Sequence, residues 1–193
     1  MSKSIKELLY LSFSYLVTKL SVPSARLIRF PIDIRGKKGI DFGKNLTTGY
    51  HCRLESFCEK EKKSLIFGNN IQINDFVHIA ALKEVRIADN VLIASKVFIT
   101  DLEHGSYCGN EDDSFPESIV KERPLSAKPV CIKENVWIGE HVSILPGVTI
   151  GENSIIGANS IVTKNIPANS IAVGSPAKII KQYNFETKKW ERI

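Results

Sequence analysis

A chain of 193 residues is long enough for one domain with a proper hydrophobic core and needs no disulfide staples. Its net charge of +5 favours anionic partners, but the excess is modest and reads as spread along the chain, with no long basic run and no aromatics interleaved with basic residues; nucleic-acid binding is therefore not expected. Cys52, Cys58, Cys108 and Cys131 form no CxxC pair and no metal-ligand spacing, which predicts small buried or half-buried thiols in a reducing cytosol.

In SIKELLYLSFSYLVTKL, Ser4 and Glu7 have the spacing of a capping box and open a helix that Pro23 must end. Leu9, Phe13, Leu16, Val17 and Leu20 share one face at helical spacing, which predicts a helix packed by that face on the body or over an open end of it. Two other readings compete. One is a membrane-surface helix with Lys3, Lys6 and Lys19 at lipid headgroups. The other is a secretory signal, against which stand Glu7 and the lack of a small-x-small cleavage site. No stretch has the length of a transmembrane helix.

From Ile132 the chain divides into sixes: IKENVW, IGEHVS, ILPGVT, IGENSI, IGANSI, VTKNIP. Six residues rotate a helical side chain by about 240° and smear the aliphatics around the axis, whereas six is a multiple of the strand period. These are short strands. The frame recurs at Phe67, Ile73 and Ile79, then, after two extra residues, at Ile87, Ile93 and Ile99, with a fainter copy through Phe42, Thr48 and Leu54. A hexad of strands predicts a parallel β-helix of about 18 residues per coil, with coils roughly 4.8 Å apart and about six coils in all. Gly139, Gly151, Gly157 and the asparagines of KENV, GENS and GANS fit corners that need unusual backbone angles.

The repeat stops at about Asp101 and resumes after Pro129. This polar insert, DLEHGSYCGNEDDSFPESIVKERPLSAKP, is expected to leave the body as an extended loop, and a long loop in a regular scaffold usually carries function. His104 at its root is the natural proton-transfer group, with Asp101 either orienting it or a solvated corner residue. Cys108, four residues on, raises a covalent acyl-enzyme, although four residues of extended loop fix no geometry. His51, His78 and His141 read as satisfied side chains. The four histidines are too scattered for the three converging ligands of a zinc site, so no metal is expected.

With the hexads, NVWIGEHVSILPGVTIGENSIIGANSIVTKNIP and AVGSPAKIIK read, the chain resembles the hexapeptide-repeat acetyltransferases over about residues 40 to 182. RLIRFPIDIRG, QINDFVHIAALKEVRIADNVLIASKVFITD and YNFETKKWERI bring it closest to the O-acetyltransferases of lipopolysaccharide O-antigen biosynthesis. The resemblance implies an all-β fold: a left-handed parallel β-helix with a short N-terminal helix and one long inserted loop. It divides the chain into a helical segment 1–39, a β-helix 40–182 and a tail 183–193. It implies acetyl-CoA as donor, a sugar or glycan-precursor acceptor, and a homotrimer with sites between subunits. The setting implied is cytoplasmic, with peripheral membrane contact through the N-terminal helix at the inner face of the cytoplasmic membrane.

Residue by residue, the resemblance makes His104 the catalytic base and puts Asn74 near the acceptor or the imidazole. Trp137 and Gly139 fall beside the acetyl-CoA arm, and Ala158, Thr163 and Lys164 at cofactor-binding positions. Lys178 and Lys181 stand where relatives carry arginines near the CoA phosphates, keeping the charge and losing the bidentate fork. Glu140 replaces a cofactor-contacting serine. The implied chemistry is direct transfer: His104 deprotonates a sugar hydroxyl that attacks the thioester, then protonates the leaving thiolate. Two readings keep the fold and change the acceptor, to the amine of a nucleotide-linked amino sugar or to a small xenobiotic. A zinc-dependent enzyme and a purely structural solenoid are the readings of another class.

Overall fold

The computed structural model describes residues 4–58 and 62–193, which leaves Lys3 outside the described residues. Helix α1, Ile5–Ser21, starts as predicted: the Ser4 hydroxyl accepts the Glu7 amide and the Glu7 carboxylate accepts the Ser4 amide. Its orientation is the reverse of the expectation. Ser14 and Thr18 are buried, while Leu9, Phe13, Leu16 and Leu20 face outward. The cause lies in what the helix covers. The Thr18 hydroxyl accepts the Ile28 amide (2.9 Å) and the Ser14 hydroxyl that of Phe30 (3.5 Å), whereas Arg29 between them donates to Thr48 Oγ1 in the next coil (3.1 Å). Alternate amides of this first extended segment thus point away from the coil, and two helix hydroxyls satisfy donors that would otherwise be orphaned. Leucines there would leave them bare.

Beyond the helix the chain winds into three parallel sheets. Face I stacks Asp33–Arg35, Arg53–Ser56, His78–Ala81, Phe98–Thr100, Ser143–Ile144 and Ile161–Val162. Face II stacks Ile40–Asp41, Leu65–Phe67, Val85–Ile87, Val130–Ile132 and Thr149–Ile150. Face III stacks Gln72–Ile73, Leu92–Ile93, Trp137–Ile138, Ile155–Ile156 and Ser170–Val173, then ends in two antiparallel strands, Lys178–Asn184 and Lys189–Arg192. The coil therefore begins before residue 40, and most of the expected tail is sheet.

The hexad positions form files through the interior. Ile73, Ile93, Ile138 and Ile156 pair in register on face III, Ile79, Ile99, Ile144 and Val162 on face I, and Phe67, Ile87, Ile132 and Ile150 on face II. All are buried, as are Val77, Val91, Val97, Val136, Val142 and Val148 at the fifth positions. Each contributes about 1.5–3 kcal/mol by leaving water.

Corner chemistry follows the expectation for asparagine and corrects it for glycine. Asn45, Asn70, Asn90, Asn135, Asn153 and Asn169 turn the II–III edge with φ of 55–60°. Their side chains form a ladder, as in Asn135 Nδ2 to Asn153 Oδ1 (3.1 Å) and Asn153 Nδ2 to Asn169 Oδ1 (3.0 Å). Gly139, Gly151 and Gly157 are not left-handed; they are glycine because the neighbouring coil passes too close for a side chain. A Cβ on Gly139 would lie 2.6 Å from the Ala158 nitrogen.

On the outer side of face I, Glu55 is buried beneath Arg53 (2.6 Å), His78 Nε2 (2.8 Å) and Arg35 (3.2 Å). Burial pushes its carboxyl up, but the hydrogen bonds and charges of Arg53 and His78 outweigh this and hold it below the usual glutamate range. Ionised Glu55 therefore stabilises the fold above the ordinary glutamate value of about 4.3, and that contribution is lost as the pH falls through the lower folded value. In thermal unfolding, Glu55→Gln is expected to be less stable than wild type at neutral pH, with the gap closing in acid.

Candidate active site

The insert is a folded excursion rather than an extended loop. Leu102–His104 pairs antiparallel with Leu125–Ala127, setting His104 opposite Leu125. The loop beyond is gathered by Arg123, which donates to Tyr107 Oη (2.8 Å), Ser118 Oγ (2.8 Å) and the Pro116 carbonyl (2.8 Å). Tyr107 in turn donates to the His104 carbonyl, so the catalytic candidate's backbone is held from both sides. Its imidazole is exposed and, among the described residues, has no hydrogen-bond partner.

Asp101 does not supply that partner, and it is not a solvated corner either. It is fully buried, and its oxygens accept the amides of Leu82 (2.8 Å), Lys83 (2.7 Å) and Glu84 (2.6 Å). Its carbonyl accepts the Lys128 amide (2.8 Å), closing the neck of the insert. Asp101 braces the root from which His104 projects; the His-orienting role expected of it is spent on backbone.

The remaining candidates divide between two edges of the prism. The insert leaves at the I–II edge, where Thr163 and Lys164 also lie, both exposed. Asn74, Gly139 and Ala158 lie at the III–I edge. Face I separates the two edges by about 15 Å at roughly 3.3 Å per residue. Asn74 Oδ1 accepts from Gln72 Nε2 (3.3 Å) rather than facing His104. Gly139 is buried and its amide is taken by Ile156, so it serves coil packing, whereas the amides of Ala158 and Thr163 have no acceptor among the described residues. Trp137 stands half exposed on face III, where Lys178 and Lys181 follow on the antiparallel strand. Exposed Lys164 and Lys178, the open amides and the Trp137 ring are the groups a CoA thioester arm and its phosphates require.

The III–I edge also carries the strained backbone. His51, Phe76, Lys96, His141 and Asn159 adopt φ of 56–60°, a region that phenylalanine and lysine enter rarely. His78 is held by Glu55, as its reading as a satisfied side chain predicts; His51, stacked on Phe76 (5.0 Å between centroids), and His141 are instead exposed, with no side-chain hydrogen bond among the described residues.

Cys52, Cys108 and Cys131 are free thiols. Burial pushes Cys52 up to about 11. Cys108 is exposed, not buried as expected; its amide bonds Asp113 Oδ1 (2.6 Å), and no hydrogen bond joins its thiol to His104 among the described residues. No three His, Cys, Asp or Glu side chains converge on a metal position among the described residues.

Residues 132–164 match the bacterial transferase hexapeptide (six repeats) family. WbbJ of Escherichia coli (strain K12), provisionally named as a lipopolysaccharide biosynthesis O-acetyl transferase, is 45% identical over 177 residues, 92% of this chain and 89% of that protein. The chain belongs to the hexapeptide-repeat acetyltransferases. With the family comes the left-handed sense of the coil. Galactoside O-acetyltransferase of E. coli (strain K12) is 41% identical over 123 residues, 64% of this chain and 56% of its own. Among solved structures, an N-acyltransferase of Bacillus cereus, AntD, in complex with dTDP-4-amino-4,6-dideoxyglucose and coenzyme A superposes with a TM-score of 0.69 at 25% identity, covering 96% of this chain and 92% of that one. A galactoside acetyltransferase in complex with coenzyme A follows with a TM-score of 0.52 at 32% identity, covering 81% and 66%. The likeness to the AntD fold thus covers nearly the whole chain.

Proposed function

We propose that this acetyltransferase moves an acetyl group from acetyl-CoA to a sugar hydroxyl in the biosynthesis of lipopolysaccharide O-antigen or a related surface polysaccharide. The observation that carries this reading is the 45% identity to WbbJ along 92% of the chain. His104 is the general base. Its unpartnered imidazole takes the hydroxyl proton as the sugar oxygen attacks the thioester carbonyl, and returns it to the departing thiolate. The open amides of Ala158 and Thr163 hold the pantetheine arm, Trp137 packs beside it, and Lys164, Lys178 and Lys181 meet the phosphates. Residues 40–182 hold this machinery.

Since His104 and Asn74 lie on opposite edges of one prism, a complete site needs the I–II edge of one copy against the III–I edge of the next. Three prisms around a threefold axis make three such clefts, and a homotrimer is the assembly proposed. The setting is cytoplasmic, at the inner face of the membrane, where glycan precursors are acylated. Among the described residues no helix is long and apolar enough to cross a membrane.

The test is release of free thiol from acetyl-CoA against a panel of sugars, nucleotide sugars and amino sugars. Release that depends on a sugar hydroxyl supports the proposal. Release only with an amino sugar favours the second reading, transfer to the amine of a nucleotide-linked sugar, to which the likeness to AntD points. In the same assay Lys164→Ala is expected to raise the apparent acetyl-CoA constant several-fold with little change at saturation, because a phosphate contact acts equally on ground and transition states. An unchanged constant would make Lys164 an ordinary solvated charge.

A further inference from the structure

The face of α1 opposite Ser14 and Thr18 is an apolar stripe in open solvent. Ile5 is 78% exposed, Leu9 66%, Leu16 62% and Leu20 87%, and Phe13 continues the row. A monomer seldom leaves such a patch uncovered. Rolling the helix cannot hide it. Ser14 and Thr18 are committed to the edge amides, Lys19 Nζ is held by the Ala25 carbonyl (2.7 Å), and Lys37 Nζ holds the Ser21 carbonyl (2.7 Å).

Charge indicates what covers the stripe. Residues 1–50 contain nine Lys and Arg against Glu7, Asp33 and Asp41, a net +6, whereas residues 51–193 total −1. The basic excess is therefore not spread along the chain as expected; all of it belongs to α1 and the first turns of the coil, at one end of the prism. Lys6 borders Leu9 and Phe13, and Arg29 lines the groove between Leu16 and Leu27. Apolar side chains flanked by cations suit a surface that is apolar in depth and anionic at its face, which is a lipid bilayer bearing acidic headgroups. At 17 residues α1 is about 25 Å long and lies in the plane of such a surface.

We infer that α1 is an in-plane anchor that seats the N-terminal end of the prism on an anionic membrane. This deepens the membrane-proximal placement proposed above and does not depend on which acceptor is used, so its test reads binding and turnover separately. The full-length protein is floated with phosphatidylcholine vesicles, with and without phosphatidylglycerol. Recovery with the anionic vesicles alone, falling as salt rises, is the expected result. Leu9→Gln/Leu16→Gln/Leu20→Gln should weaken that binding at least about a hundredfold, and Lys6→Gln roughly fivefold. Both variants should keep the wild-type unfolding temperature and thiol-release rate in solution, since these side chains touch neither core nor site. Equal recovery with neutral and anionic vesicles overturns the inference, as does unimpaired binding by the leucine variant. A smaller sedimenting mass for the leucine variant without vesicles would overturn it too, assigning the stripe to a second copy of the chain.

Discussion

Replacing His104 with alanine is expected to lower acceptor-dependent turnover by about 10²- to 10⁴-fold while leaving the apparent acetyl-CoA constant nearly unchanged. The size follows from the role. Without a base, the sugar hydroxyl must lose its proton to water while attacking, and the thiolate must leave unprotonated. The clean separation follows from the structure, because the imidazole is exposed and bonds nothing within the described residues, so its removal opens no cavity. The unfolding temperature should therefore stay within the error of wild type. Near-normal turnover would remove His104 from the chemistry.

Asp101→Ala should show the opposite pattern, a stability loss first. Three backbone amides from residues 82–84 converge on this buried carboxylate. Bonds to a charged acceptor contribute about 1.5–3 kcal/mol each, and the stranded amides cost more than the bonds return. A net loss of about 3–5 kcal/mol is expected, or about 10 °C in unfolding temperature for a chain of this size. Asp101→Asn keeps one acceptor oxygen, turns its amide nitrogen on the donors, and should fall between. Turnover then falls with the population of folded neck rather than independently of it. A variant with wild-type stability and lost activity would restore the orienting role first expected of Asp101.

The hexad frame was legible because its period is a multiple of two, so Ile132, Ile138 and Ile144 announce an inward file without knowledge of any partner. The Asn corners were legible for a local reason as well, since asparagine tolerates the left-handed backbone they need. What escaped depends on neighbours in other coils. The reason for Gly139 lies at Ala158, the partners of Asp101 lie 17–19 residues upstream, and Glu55 meets His78 across 23 residues. The burial of Ser14 and Thr18 instead of Leu9 and Leu16 follows from the unpaired amides of an edge strand, which a hydrophobic periodicity does not record. His104 could be singled out by its place in the interruption, but its separation from Asn74 by a whole face appears only once the coil is closed.

The neck between Asp101 and Lys128 hides the insert's length from everything beyond it. Val130 pairs with Val85 and Ile132 with Ile87, the register an uninterrupted coil would have had, so the core files pass the excursion without a step. The insert between can lengthen, shorten or change composition without strain reaching the prism. A lineage keeping this neck can exchange the insert at almost no risk to folding, which makes the corner a socket for interchangeable loops.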